Sequence, residues 1–421
     1  MKRILSAVLM IAATFAAAQN TPAASNADLS PAAQGMVEAQ KTIQEKPAQY
    51  AGYNLLAMAL LRRARETSDP NYYVQAEDAV KKSLELSPNN FDTEKIRVSI
   101  LLGEHEYPAA LAAAKALNKK VPDDVMVYGL LTDANAELGN YKDAEVSAQW
   151  MLNLRPGNLP ALLHAAHLRE LFGDADGSYE LLELSYQSTP SSETEERAWI
   201  LTQMGHLRLS SGNLDAAENL LQQALNAFPG YYYTLGNLAQ VRIAQKRYED
   251  AVVLLKQRYQ KAPSTQNLYD LAEALSLAGK SEEAKREFVE FETEALVESG
   301  KKDNANRDLV FYYADQAHQP AKALQVAQQE YAWRHDVYTL DAYAWALHVS
   351  GQDLEARKQI ESALTVGIRD AKLFRHAGEI VLKSGDLAAA ESYLKQSVEL
   401  NPAGSEQAQS MLAKLPQHGP Q

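Results

Sequence analysis

Prolines at a constant interval constrain this chain more than any other feature. Pro88, Pro122, Pro156 and Pro190 follow one another at intervals of 34 residues, Pro229 and Pro263 do so again, and Pro229 stands 39 after Pro190. Proline lacks an N–H and cannot continue a helix, so each one marks a helix end. A fixed period of this size implies a repeated supersecondary unit that buries its apolar face only by stacking on its neighbours. Twelve residues before each proline stands a small residue: Ala76, Ala110, Ala144, Ser178, Ala217, Ala251, and again Ala390 before Pro402. Five residues before the small position a glycine recurs, at Gly139, Gly173, Gly212, Gly279, Gly351 and Gly385. Glycine reaches the positive φ that closes a helix C-terminus, and the small residue lets the next helix come close. Ala57, Ala166, Gly205, Ala239, Ala272 and Gly378 supply the matching contact on the first helix, with the larger Val98 and Thr132 there in two units.

These markers resemble the tetratricopeptide-repeat family, most clearly in LGNYKDAEVSAQWMLNLRPGN (138–158) and KSGDLAAAESYLKQSVELNPAG (383–404). The resemblance covers nearly all of the chain beyond its N-terminus. It implies an all-α, right-handed solenoid of stacked helix-turn-helix repeats, about ten of them. It says almost nothing of the ligand.

Along the chain, residues 1–18 read as a signal peptide: Lys2 and Arg3 precede the apolar stretch Ile4–Ala17, with Ala16, Ala17 and Ala18 for cleavage. Residues 19–29 read as a flexible leader. Residues 30–300 read as an N-terminal array, with a capping helix that Ser30 and Pro31 start, followed by about seven repeats. The first of these holds extra residues around Arg65–Tyr73, and SSETEE (191–196) lengthens a later connection as a solvated acidic loop. Residues 301–416 read as a C-terminal segment of about three repeats and a capping helix, the first repeat degenerate, and 417–421 as a tail. The weakened pattern near 300 marks a bend or boundary.

With a formal charge of −13, or −15 once Lys2 and Arg3 are removed with the signal, the chain does not suit nucleic acid or anionic lipid. No cysteine is present, so disulfides and thiol nucleophiles are out. No stretch after the signal is long and apolar enough to span a bilayer. Phosphate loops, nucleophile elbows, metalloprotease helices and dinucleotide fingerprints are missing, and no cofactor is expected.

In the resembling family the first helices line a concave groove that holds ligands. By position, that wall would present Asn54, Lys95, Asp133, His164, His167, Gln203, His206, Asn237, Gln240, Tyr269, Asp270, Glu273, Tyr312, Asp341, Trp345, His348, Arg375, His376 and Glu379, a mixed polar and aromatic surface suited to a partner peptide or helix. Lys95 and Asn237 lie too far apart for the carboxylate clamp some relatives build. His164, His167 and His206 read as solvated groove histidines; the alternative is a transition-metal patch. Tyr231, Tyr232 and Tyr233 read as packing between units. The expected function is a non-catalytic protein-interaction scaffold of the cell envelope or secreted fraction. The alternatives are a small-ligand or glycan binder using Tyr312 and Trp345, or a metal-handling protein.

Overall fold

The computed structural model describes residues 30–401 and 404–416; the expected signal peptide, leader and tail, and Pro402, lie outside the described residues. The described residues form 22 α-helices and one π-helical turn, with no strand among them. Helix α1 (Pro31–Glu45) starts at Ser30, whose hydroxyl accepts from the Ala33 N–H. Ten helix pairs follow. Units 1 to 3 are α2 (Tyr50–Thr67) with α3 (Asn71–Leu86), α4 (Phe91–Gly103) with α5 (Tyr107–Lys120), and α6 (Val125–Glu137) with α7 (Tyr141–Leu154). Units 4 to 6 are α8 (Leu159–Leu171) with α9 (Ala175–Ser188), α10 (Thr194–Ser210) with α11 (Leu214–Ala227), and α12 (Tyr232–Ala244) with α13 (Tyr248–Lys261). Unit 7 is α14 (Thr265–Leu277) with α15 (Ser281–Glu298). Unit 8 is α16 (Asn306–Phe311), run on by a π-helical turn (Tyr312–Gln316), with α17 (Pro320–Tyr331). Units 9 and 10 are α18 (Val337–Val349) with α19 (Asp353–Leu364) and α20 (Ala371–Lys383) with α21 (Leu387–Leu400), closed by α22 (Glu406–Lys414).

The expected helical repeat solenoid is what the chain forms. All ten small positions of the second helices, from Ala76 to Ala390, are buried at 3% exposure or less, so helix pairs meet where a larger side chain would hold them apart. The six marker glycines all have φ between +73° and +83°. In units 2, 6 and 8, which lack the glycine, the same register holds His105, Lys246 and His318, each at a left-handed φ of +51° to +59°, and in unit 1 Ser68 takes φ +57° three residues earlier, at the end of the lengthened α2.

Two expectations need correction. The extra residues of unit 1 do not form a loop; they lengthen α2 to 18 residues and α3 to 16. The run SSETEE is not a solvated loop either. Its second half starts α10, and the Glu195 side chain is fully buried, gripped by Arg65 through Nε at 2.9 Å and Nη2 at 2.7 Å and by the Tyr231 hydroxyl at 2.7 Å. An acidic run exposes its charges unless a distant cation meets one, and Arg65 lies 130 residues upstream.

That contact belongs to a series. The solenoid coils tightly enough that the turns inside early units meet the connectors between later ones. Arg62 bonds Glu193 at 2.5 Å, His105 meets Asp303 at 3.1 Å, Arg334 meets Glu137 at 2.9 Å, and Lys246 meets Glu406 at 2.8 Å. The Val337 N–H donates to the Tyr141 hydroxyl at 2.8 Å. Backbones touch as well: a Cβ on Gly139 would stand 2.5 Å from the His335 carbonyl oxygen, and one on Gly173 would strike that of Gly367.

Two glycines therefore separate two costs. Gly351 (φ +77°) has open space where a Cβ would go, so Gly351→Ala pays only for backbone strain and is expected to lose about 1 kcal/mol. Gly173→Ala adds a backbone collision and is expected to lose about 1–3 kcal/mol more. Urea unfolding of both variants checks this; equal losses would refute the contact.

Candidate functional site

The coil decides which inner-wall side chains remain available. At the N-terminal end Asn54 is buried, and its Oδ1 accepts from Ser83 at 2.7 Å and Thr93 at 2.9 Å. Lys95 lies over the Phe91 ring and is held between Asp124 at 2.8 Å and Asp92 at 3.0 Å. Both positions tie neighbouring units together.

The histidines do not converge. His164 pairs with Asp133 at 3.0 Å and His206 with Glu170 at 3.2 Å, while His167 is exposed. Burial opposes protonation of His164 and His206, but the facing carboxylates outweigh it and raise both. Among the described residues no three His, Cys, Asp or Glu side chains come together as metal ligands. Gln203 and His206 are half-buried, Gln240 is exposed, and the Asn237 amide donates to the Tyr233 carbonyl at 3.1 Å.

Tyr312 points away from the wall. It is buried on Phe288, with ring centroids 5.5 Å apart, and its hydroxyl donates to Glu292 at 3.3 Å. Of the adjacent tyrosines at 231–233, Tyr231 is buried at a unit junction against Phe228, whereas Tyr233 is exposed.

The C-terminal units gather the rest. Trp345 stacks on the His376 imidazole at 4.2 Å, donates through Nε1 to Asp315 at 2.9 Å, and carries Arg375 5.0 Å from its ring centre. The fully buried His376 is bonded on both sides, with Nδ1 2.8 Å from Asp341 and Nε2 2.8 Å from the Arg375 guanidinium. Arginine can only donate, so Nε2 accepts and Nδ1 carries the hydrogen that goes to Asp341. Burial and the charges of Arg375 and Lys372 hold His376 well below its ordinary value, so the ring is neutral. Sequence reasoning named His376 with Asp341, Trp345 and Arg375 as groove-facing, whereas the structure buries it completely as their hub. His376 lies next to Arg375, and its burial depends on packing from three units.

Beside this hub opens a cavity of about 900 Å³ at the C-terminal mouth of the coil. Glu273 from α14 and Asp315 from the π-helical turn stand on one side, Lys372, Arg375 and Glu379 from α20 on another, and Gln407, Met411 and Lys414 from α22 close the end. The exposed Lys372 lies over the Phe311 ring at 3.3 Å. Carboxylates crowd behind it. Burial and the neighbouring charge of Asp270 push Asp308 up to about 7, against the pull of Arg307 and Lys372. Burial lifts Asp341 to about 7 as well, and raises Glu273. The α22 contribution had no signal in the repeat, since this helix lies outside the period.

The chain is similar to known repeat proteins. Residues 208–265 match one family model described as tetratricopeptide repeat, and residues 376–403 match a second with the same description. Over 108 residues, 26% of this chain, the sequence is 33% identical to cellulose synthase operon protein C of Xanthomonas axonopodis pv. citri (strain 306); the match spans 7% of that protein. The solved human IFIT1 dimer with m7Gppp-AAAA has a TM-score of 0.51 at 17% identity, covering 87% of both chains. The pilus biogenesis factor PilW has a TM-score of 0.42 at 14% identity, covering 49% of this chain and 94% of its own.

The raised carboxyls give a pH signature. Between about pH 4 and 7 the folded chain keeps protons on Asp308 and Asp341 that the unfolded chain releases. Their burial therefore destabilises the fold progressively through that window, and fully above it. Asp308→Asn is expected to raise the stability at pH 8 by about 1–2 kcal/mol and to change little at pH 4. Thermal melts at the two pH values test this; an equal shift at both would refute the assignment.

Proposed function

We propose that this chain, whose residues 208–265 and 376–403 match tetratricopeptide-repeat models, is a non-catalytic protein-interaction scaffold that grips a partner peptide or helix at its C-terminal cleft. One observation supports this reading above the rest. Most of the inner wall is tied up in contacts between units, whereas the roughly 900 Å³ cavity presents side chains of both signs beside apolar Met411. Cavities of this size accept a short segment of polypeptide. Lys372 and Arg375 would meet carboxylates of the partner, Glu273 and Glu379 its basic groups, and the exposed Gln407 and Ser410 of α22 its backbone.

The glycan alternative is less well supported. Tyr312 is turned into the core, and Trp345 is 5% exposed with a ring face covered by His376, so neither offers a platform for a sugar ring. The m7Gppp-AAAA of the human structure belongs to that protein; a net charge of −13 favours a protein partner here. The basic pair Lys2 and Arg3, followed by the apolar stretch to Ala17, supports an exported protein of the cell envelope or secreted fraction.

A photo-crosslinking amino acid at Gln407, on the cleft, is expected to capture a partner from the native host, while the same group at Leu354, 86% exposed on α19, captures none. Reversing charge with Lys372→Glu and Arg375→Glu together should cut the adduct by tenfold or more, about 1.4 kcal/mol or above. Equal adducts at Gln407 and Leu354 would overturn the reading.

A further inference from the structure

One helix of the outer layer is unlike its neighbours. First helices of adjacent units pack on one another, whereas second helices pack on the first helices to either side and stand apart from each other. The second helix of unit 7, α15, is the longest of these at 18 residues. Its inner side is ordinary: Ala284, Phe288, Phe291 and Ala295 are buried. Its outer side is not. Val289, Leu296 and Val297 are 55%, 53% and 70% exposed, and with the exposed Thr293 they make an uncharged ridge at helical spacing. Along one flank of that ridge run Glu287, Glu290, Glu294 and Glu298, three or four residues apart and so on one side of the helix.

We propose that this outer face of α15 docks a helix of a partner protein that is apolar on one side and carries lysine or arginine along one edge. The inference goes beyond the cleft, which draws no residue from α15.

The ridge sets the shape of the occupant. Apolar side chains set side by side on a helix leave water when a second helix fits its own ridges between them. Single exposed apolar residues need no such explanation. Leu354 is more exposed still, at 86%, but it is the one large apolar side chain so placed on α19. On α15 three such residues share a face.

The glutamates set the charge of the occupant. Glu283 pairs with Lys256 at 3.3 Å and Glu292 with Lys322 at 3.6 Å, but among the described residues no cation pairs with Glu287, Glu290, Glu294 or Glu298. Burial and the charge of Glu290 raise both Glu287 and Glu294. Tyr259 of α13 faces Glu294, Glu290 and Glu287 from the next outer helix; burial and those charges raise it, so it stays neutral and offers no counter-charge. Like charges repeated along a helix repel, and a cationic edge laid against them relieves the repulsion. Lys285 and Arg286, exposed one turn before Val289, close the face at its N-terminal end. A second copy of the chain packed antiparallel would set the glutamate row against its own counterpart, so charge favours a different protein.

The probe is a fluorescein-labelled peptide of about 18 residues with leucine on one helical face and lysine along one flank. Titrated with the whole protein and followed by anisotropy, it is expected to bind saturably, and the same peptide with glutamate for lysine is expected not to bind. Val289→Ser with Val297→Ser, and separately Glu290→Gln with Glu294→Gln, should each weaken binding by about tenfold or more, while Leu354→Ser leaves it unchanged. The substituted side chains lie at the surface, and far-ultraviolet circular dichroism checks that each variant keeps its helices. Equal affinity of the unaltered chain and both double variants would overturn the proposal. Sedimentation showing that the chain pairs with itself, and that Val289→Ser with Val297→Ser parts the pair, would overturn it too, since the occupant would then be a second copy. Lys372→Glu with Arg375→Glu is expected to leave the peptide's affinity unaltered, so failure of the cleft reading and failure of this one are told apart.

Discussion

Close approach of paired helices at a small residue is the contact on which everything else in this chain depends. Ten alanine or serine side chains on the second helices are buried almost completely, and they fix how near each helix lies to its mate. Spacing of the pairs in turn fixes the curvature of the stack, since each unit repeats nearly the same rotation. Had these positions held leucine, the pairs would stand further apart and the coil would not bring its turns into register.

Local chemistry explains the remaining regularity and its exceptions. Positive φ at the turn inside each pair is required by geometry whether or not glycine is present, so His105, Lys246 and His318 accept the strained conformation where glycine is lacking. Two of these three also reach distant units: His105 meets Asp303 and Lys246 meets Glu406. The side chain costs backbone strain and returns an ion pair that glycine could not supply.

How much of this could be seen in the amino-acid order depends on range. The period, the unit count, the helix start at Ser30 and the long α15 are local, encoded by caps, helix-stoppers and small residues a few positions apart. The burial of Glu195 is not, because its cation is 130 residues away and the intervening units must stack before the two can meet. The same holds for the inner wall. Asn54, Lys95 and Asp341 sit at positions that face a groove in an open coil, but here they meet neighbours and are covered. Tyr312 fails for another reason: the π-helical turn shifts its phase and points it toward Glu292. Asp341, Trp345, Arg375 and His376 were readable as a group, while the burial of His376 between Asp341 and Arg375 shows only once three units are in place.

The touching of Gly139 with His335 and of Gly173 with Gly367 has a further consequence for how such a chain can change over time. Solenoids usually gain and lose whole modules freely, because each module knows only its neighbours. Here two modules about five apart are geared to one another like teeth, so duplicating or deleting any module between them would set glycine against the wrong partner. The number of modules in that stretch is therefore held fixed, as the pitch of a screw is held by its nut.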